Sequence, residues 1–180
     1  MSSSAAGARD AAGSRLAASA AAARGAARAA VSATVSATVS ALEMALGAEH
    51  AAVYGYGVVG AQLTGAAQAA AARDWVAHQV ARDDLEAMLR SLGAEPVPAA
   101  PAYRLPAPVL TAHDAVTLAV QLEDRTATAY LGLVAASAPA IRRFGALRLR
   151  ATALRAAFWR GTTVAFPGLP ASVLARRPQP

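Results

Sequence analysis

Three polar side chains stand where the sequence pattern calls for buried apolar residues. Around Glu49, His78 and Glu123, the residues at three- and four-residue steps are mostly apolar or small, so each polar residue lies on the apolar stripe of a different predicted helix. An ionised carboxylate is rarely buried alone, because removing it from water is costly. Each glutamate therefore needs a partner: a metal ion, an arginine, or a proton shared with another acid.

Carboxylate and imidazole groups bind transition metals, and a di-metal centre in a helical bundle uses a fixed set of them. Two helices each supply a Glu, and the other two each supply a Glu-x-x-His pair. Here the residue three positions before His78 is Trp75, and the fourth predicted helix carries arginines such as Arg148 and Arg155 but no acid. Asp74, one turn before His78, is an alternative to the missing Glu, but the fourth helix supplies no second pair, so a complete di-metal site cannot be assembled from these residues.

Two interpretations of the three polar residues follow. In the first, which we favour, they form a buried polar cluster whose carboxylates are neutralised by Arg148 or Arg155 from the fourth helix, and no cofactor is needed. In the second, Glu49, His78 and Glu123 hold a single ion of iron or another transition metal.

Apolar residues at helical spacing predict the four helices that position these side chains. The predicted ranges are 35–63, 70–92, 111–136 and 139–161. Thr111 is the expected N-cap of the third helix, because Asp114 follows it in the first turn. The apolar stripe of the fourth helix contains no polar residue, and its predicted buried members are Ile141, Phe144, Leu147, Ala151, Leu154 and Phe158.

The segments outside the helices set the domain organisation. Residues 1–30 are rich in Ala, Arg and Ser and bury too little area to order themselves, so a disordered tail is predicted. Residues 31–170 form the bundle, and residues 171–180 form a C-terminal tail. Residues 93–110 carry five prolines, which excludes a helix and predicts a long extended crossover between helices two and three, as in ferritin-like folds.

Composition restricts the compartment and the chemistry. The chain has no Cys, which excludes disulfides, zinc fingers, iron–sulfur clusters and thiol catalysis. We find neither a secretory signal nor the roughly 20 unbroken apolar residues of a membrane span, so a cytoplasmic protein is expected. Residues 138–180 contain 8 Arg and no acid, a block that suits nucleic acid or another anionic partner, although a solvated or ion-paired helix face is the simpler explanation.

Several short motifs resemble a known family. They are Glu49-His50-Ala51-Ala52-Val53-Tyr54, His78 with Asp83, Pro101-Ala102-Tyr103 with Leu105-Pro106, Leu122-Glu123, and Phe166-Pro167-Gly168-Leu169-Pro170. Together they resemble an actinobacterial ferritin-like family of unknown function, domain of unknown function 4439, over about residues 40–170. The resemblance implies an all-α, ferritin-like four-helix bundle, and it carries metal roles only onto Glu49, His78 and Glu123.

The expected function follows from the incomplete site. We predict a non-catalytic structural or interaction protein, with a metal-binding protein of modest redox activity as the alternative. Acidic residues on the second helix and arginines on the fourth suggest complementary faces and hence a homodimer.

Overall fold

Helices account for most of the chain in the computed structural model, which describes residues 4–136, 138–169 and 173. Helix α1 is Ser4–Ala61, α2 is Gly65–Ser91, α3 is Ala112–Ala136 and α4 is Pro139–Arg160. No strand occurs among these residues, so the all-α, four-helix prediction is confirmed. The predicted C-terminal tail, 171–180, lies outside the described residues apart from Val173.

The ends of the helices agree with their sequence signals. The backbone N–H of Asp114 donates to the Thr111 hydroxyl at 3.2 Å, and the N–H of Thr111 donates to the Asp114 carboxylate at 3.0 Å. This reciprocal pair confirms the predicted cap of α3. Gly93 and Gly161 follow α2 and α4 with φ of 75° and 74°, a left-handed conformation that favours glycine.

The described residues up to Ser36 form a unit separate from the rest of the chain. It is helical from Ser4 onward, whereas the sequence predicts a disordered tail at 1–30, and every described side chain from residue 19 to 36 is exposed. A helix without buried side chains gains no stability from packing. Disorder of residues 1–30 therefore stays a prediction.

One stretch, Ser19–Ala61, is by length and composition alone apolar enough to cross a membrane, although no span is expected from the sequence. Its later part contains Leu42 and Leu46, which are fully buried in the bundle. Buried helices of water-soluble proteins pass the same test, so the finding is weak support for a membrane segment.

Two apolar clusters fill the interior of the second unit, residues 37–180. One contains Leu42, Leu46, Leu85, Leu89, Tyr130 and Leu133. The other contains Tyr56, Val59, Leu63, Leu118, Leu122 and Trp159. On each of α1, α2 and α3, residues of one cluster precede the polar residue (Glu49, His78 or Glu123) and residues of the other cluster follow it. A polar layer therefore separates the two halves of the apolar core.

Hydrogen bonds between helices show their relative directions. Glu49 of α1 is bonded to Tyr130 of α3, and Tyr56 of α1 is bonded to Glu123 of α3, so these helices are antiparallel. The same reasoning makes α1 and α2 antiparallel, because Glu49 is bonded to His78 while the Val53 carbonyl accepts from Trp75. Helices α2 and α3 therefore run in the same direction.

The segment 92–111, which joins α2 to α3, contains no helix or strand and lies along α1. The Val97 carbonyl is 3.2 Å from Nε2 of His50, and the Tyr103 ring is 5.6 Å from that of Tyr54. Further on, Leu105 packs against the core cluster that contains Tyr56. The segment thus follows α1 toward its C-terminal end.

The predicted buried stripe of α4 is wrong in half of its members. Leu147, Leu154 and Phe158 are exposed, whereas Ile141 and Phe144 do pack against the core. The fully inward residues of α4 are Gly145, Thr152, Ala156 and Trp159. Helix α4 carries large apolar residues on two faces, and its small residues together with Trp159 determine which face turns inward.

Candidate functional site

The structure brings Glu49, His78 and Glu123 together, and all three are fully buried. Nδ1 of His78 lies 2.6 Å from Oε2 of Glu49, and Nε2 of His78 lies 3.0 Å from Oε1 of Glu123. Because carboxylates only accept hydrogen bonds, this geometry suits an imidazolium ring that donates from both nitrogens. The histidine thus bridges the two glutamates.

Two tyrosines also donate hydrogen bonds to the carboxylates. The Tyr130 hydroxyl donates to Oε1 of Glu49, and the Tyr56 hydroxyl donates to Oε1 of Glu123, each at 2.6 Å. Burial and the neighbouring carboxylates raise the pKa of both tyrosines well above the ordinary range, so both hydroxyls stay protonated donors.

Neither tyrosine is among the site residues predicted above, although the sequence contains a signal for both. Glu49 and Tyr56 are seven residues apart on α1, and Glu123 and Tyr130 are seven residues apart on α3. Because α1 and α3 are antiparallel, this repeated spacing places each tyrosine opposite the glutamate of the other helix. The shared spacing, combined with burial of both glutamates, would have pointed to the pairs.

Helix α4 contributes one of its two candidate arginines to this cluster. Nε of Arg155 donates to Oε1 of Glu123 at 2.8 Å, and the same guanidinium donates to the Thr152 hydroxyl at 3.2 Å. Arg148 bonds to Asp84 of α2 instead, with its guanidinium 5.2 Å from the centre of the Phe144 ring. Arg155 therefore reaches the buried carboxylates, and Arg148 does not.

The four charged groups balance one another at neutral pH. Burial alone would lower the pKa of His78, but its hydrogen bonds and charge contacts with Glu123 and Glu49 raise that pKa to about 9. Burial likewise would raise the pKa of Glu123, yet His78 and Arg155 hold it below its usual range. Two carboxylates thus face one imidazolium and one guanidinium. We call Glu49, His78, Glu123 and Arg155 the charge network.

Asp74, the nearest acid to His78 on α2, is engaged elsewhere. The indole N–H of Trp159 donates to Oδ2 of Asp74 at 2.9 Å, and burial raises the pKa of this carboxyl. Asp74 therefore does not replace the missing glutamate of a Glu-x-x-His pair. Among the described residues, Oε2 of Glu123 is a buried carboxylate oxygen without a hydrogen-bond donor.

These residues do not fit a di-metal centre. Both ring nitrogens of His78 are hydrogen-bonded to carboxylates, and the group from α4 that contacts Glu123 is a cation rather than a ligand. Within the described chain, no three His, Asp or Glu side chains are arranged around a common position suited to an ion. A single ion would require His78 to lose its proton and free one ring nitrogen.

Comparison with known proteins gives the family. Residues 41–171 match the family described as a domain of unknown function (DUF4439). The chain belongs to this family. The match covers the helical unit that contains the charge network and begins after the exposed N-terminal part of α1. Of the family prediction made from the sequence motifs, membership in domain of unknown function 4439 is confirmed.

A solved structure supports the assignment. The chain is similar to a conserved hypothetical protein, rv2844, from Mycobacterium tuberculosis, with 37% sequence identity and a TM-score of 0.68. The match covers 70% of this chain and 96% of that one. No curated protein matches the chain.

Proposed function

We propose that this DUF4439 protein is a non-catalytic, ferritin-like bundle that acts as a structural or interaction protein. The observation that carries the proposal is the charge network: two buried carboxylates are neutralised by His78 and Arg155. Separating the members of a buried ion pair leaves an uncompensated charge out of water, so the network penalises packings that separate them. In this role the network selects one arrangement of the four helices.

The direction of the helices supports the ferritin-like part of the proposal. Helices α2 and α3 run in the same direction, and the segment 92–111 follows α1 between them. A bundle with one long crossover between its second and third helices is the arrangement of ferritin-like proteins. In this interpretation, the proline-rich segment is the crossover.

A metal-binding function is the second candidate, and one observation favours it. Glu123 keeps a buried oxygen without a donor, in a site that already gathers two carboxylates and an imidazole. An ion of iron or another transition metal would use that oxygen together with Glu49 and His78. Binding would have to displace the proton of His78, so affinity would fall as the pH drops below the His78 pKa of about 9.

Substitution of Glu49 distinguishes the two candidates. In a charge network, Glu49→Gln should destabilise less than Glu49→Ala, because the amide keeps the size of the side chain and one acceptor. The melting temperature of each variant and of the unchanged protein should be measured with and without added Fe²⁺, Mn²⁺ and Zn²⁺. A rise for the unchanged protein alone, which continues to grow with the logarithm of metal concentration, would favour the metal site instead.

The proposed assembly and compartment are a homodimer in the cytoplasm. The charges that suggested this dimer are largely used within one chain, since Asp84 bonds to Arg148 and Glu86 bonds to Arg90. A dimer would then depend on apolar contacts more than on charge. Sedimentation at low and high salt tests this, and a monomer under both conditions would contradict it.

A further inference from the structure

One face of α4 presents large apolar side chains to solvent. Leu147, Leu154 and Phe158 are 58%, 59% and 62% exposed. They alternate with Arg143 and Arg150 at steps of three or four residues, so the five side chains form one line along the helix. We call these five residues the α4 face.

A groove adjoins this face. It has a volume of about 390 Å³ and lies between α4 and the segment that follows it. Its walls are mostly small or apolar, formed by Ala146, Leu149, Ala153, Ala157, Val164 and Pro167, with Arg150 and Leu154 of the α4 face also lining it. A concave apolar wall next to exposed leucines is the form of a site that receives the apolar edge of another helix.

Five of the six arginines of α4 divide into two groups, and the sixth, Arg142, donates to the Val134 carbonyl at 3.1 Å. Arg148, Arg155 and Arg160 each pair with an acid of another helix. Among the described residues, no acid lies within ion-pair distance of Arg143 or Arg150, and positions 138–169 include no acid at all. The two arginines left for an outside partner are thus the two on the apolar line.

This pattern decides between possible occupants. A second copy that docks by the same face would bring arginine against arginine, since that face has no acid to accept them. A helix that lies on an anionic membrane keeps its arginines on the face opposite its apolar residues, whereas here both share one line. A flat lipid surface would also leave the groove unfilled.

We propose that the α4 face binds an amphipathic helix of another protein, one with acidic residues spaced between its apolar residues. Leucines of that helix would enter the groove beside Leu154 and Phe158, and its acids would pair with Arg143 and Arg150. This inference rests on the proposed interaction role, because it names the chemical class of the partner.

The test uses the full chain and two synthetic helical peptides. Both peptides have about three heptads with Leu at the a and d positions. One carries Glu at the e and g positions, and the control carries Lys there. Binding is measured by fluorescence anisotropy at low salt. We expect the Glu peptide to bind at least about tenfold more tightly than the Lys peptide, with the difference reduced by added salt.

Matched surface variants assign the binding to the α4 face. Leu154→Ser should weaken binding of the Glu peptide at least about tenfold, whereas Val80→Ser, at an exposed valine of α2, should leave that binding unchanged. Arg150→Glu should shift the preference toward the Lys peptide, and Arg125→Glu, at an exposed arginine of α3, should leave it unchanged. These residues are at the surface, so the variants should fold.

Several outcomes would overturn the inference. Equal binding of the two peptides would mean an unspecific apolar patch, and Leu154→Ser without effect would place binding elsewhere. Self-association that Leu154→Ser abolishes would assign the face to a second copy. If the chain binds phosphatidylserine vesicles but not the Glu peptide, and Leu154→Ser abolishes the vesicle binding, the α4 face would be assigned to a membrane. Metal that copurifies with the chain would overturn the proposed function yet leave the peptide result intact, so the two failures are distinguishable.

Discussion

Removal of Arg155 alone should destabilise the bundle strongly. Its side chain is 18% exposed and bonds to Glu123, which is fully buried. Arg155→Met keeps much of the apolar stem but leaves Glu123 with one positive partner instead of two. Removing one member of a buried ion pair costs about 3–5 kcal/mol, because the remaining charge stays out of water without compensation.

Arg148 offers a matched control on the same helix. It also bonds to an acid, but its side chain is 25% exposed and that of its partner Asp84 is 45% exposed. A pair at this depth contributes about 0–1 kcal/mol. Arg148→Met should therefore cost far less than Arg155→Met, although both substitutions remove one cation from the same acid-free helix.

Urea unfolding, followed by far-ultraviolet circular dichroism, measures both costs. With a slope of about 2 kcal/mol per molar urea, a loss of 3–5 kcal/mol lowers the midpoint by about 1.5–2.5 M. Adding Glu123→Gln to Arg155→Met should recover part of the loss, because the uncompensated charge is removed. Equal midpoints for Arg155→Met and Arg148→Met, or no recovery in the double variant, would refute the charge-network account.

Three further outcomes follow from the same structure. The pKa of His78 is raised from 6.5 to about 9, so protonated His78 should add about 3 kcal/mol to the free energy of unfolding. This contribution should be complete below about pH 6.5 and be lost as the pH rises through 9. The urea midpoint between pH 6 and 10 measures it, and His78→Gln should flatten the profile. Tyr130→Phe removes a buried hydrogen-bond donor and should lower the free energy of unfolding by about 1–3 kcal/mol. The control Tyr54→Phe, at the surface, should lower it by less than about 0.5 kcal/mol. Equal melting temperatures for the two variants would contradict the role given to Tyr130. Residues 1–30 should be removed by low doses of protease, and a chain that starts at Val31 should keep its melting temperature, since no described side chain there is buried.

The positions of the buried polar residues could be predicted because they contradict their surroundings. A charged residue on an apolar stripe is recognisable in the sequence, and Glu49, His78 and Glu123 all proved to be buried and in contact. Their partners were harder to predict. Arg148 and Arg155 lie seven residues apart on one face of α4. Which of them reaches Glu123 depends on how far α2 and α3 are shifted along their axes relative to α4.

The orientation of α4 could not be obtained from periodicity. Leu147, Leu154 and Phe158 form as regular a stripe as any buried face, yet Trp159 and small residues such as Gly145 turn inward instead. The backbone of α4 approaches α3 closely there, since a Cβ on Gly145 would lie 3.2 Å from a methyl group of Val134. Small residues permit this close packing, and hydrophobic spacing alone does not report it.

Metal content tests the central claim most directly. The full chain should be purified without chelator and analysed for transition metals by mass spectrometry, beside a Glu49→Ala variant prepared in the same way. If His78 and Arg155 neutralise the buried carboxylates, metal should be far below one ion per chain and equal in both preparations. One transition-metal ion per chain in the unchanged protein, lost in Glu49→Ala, would contradict the account.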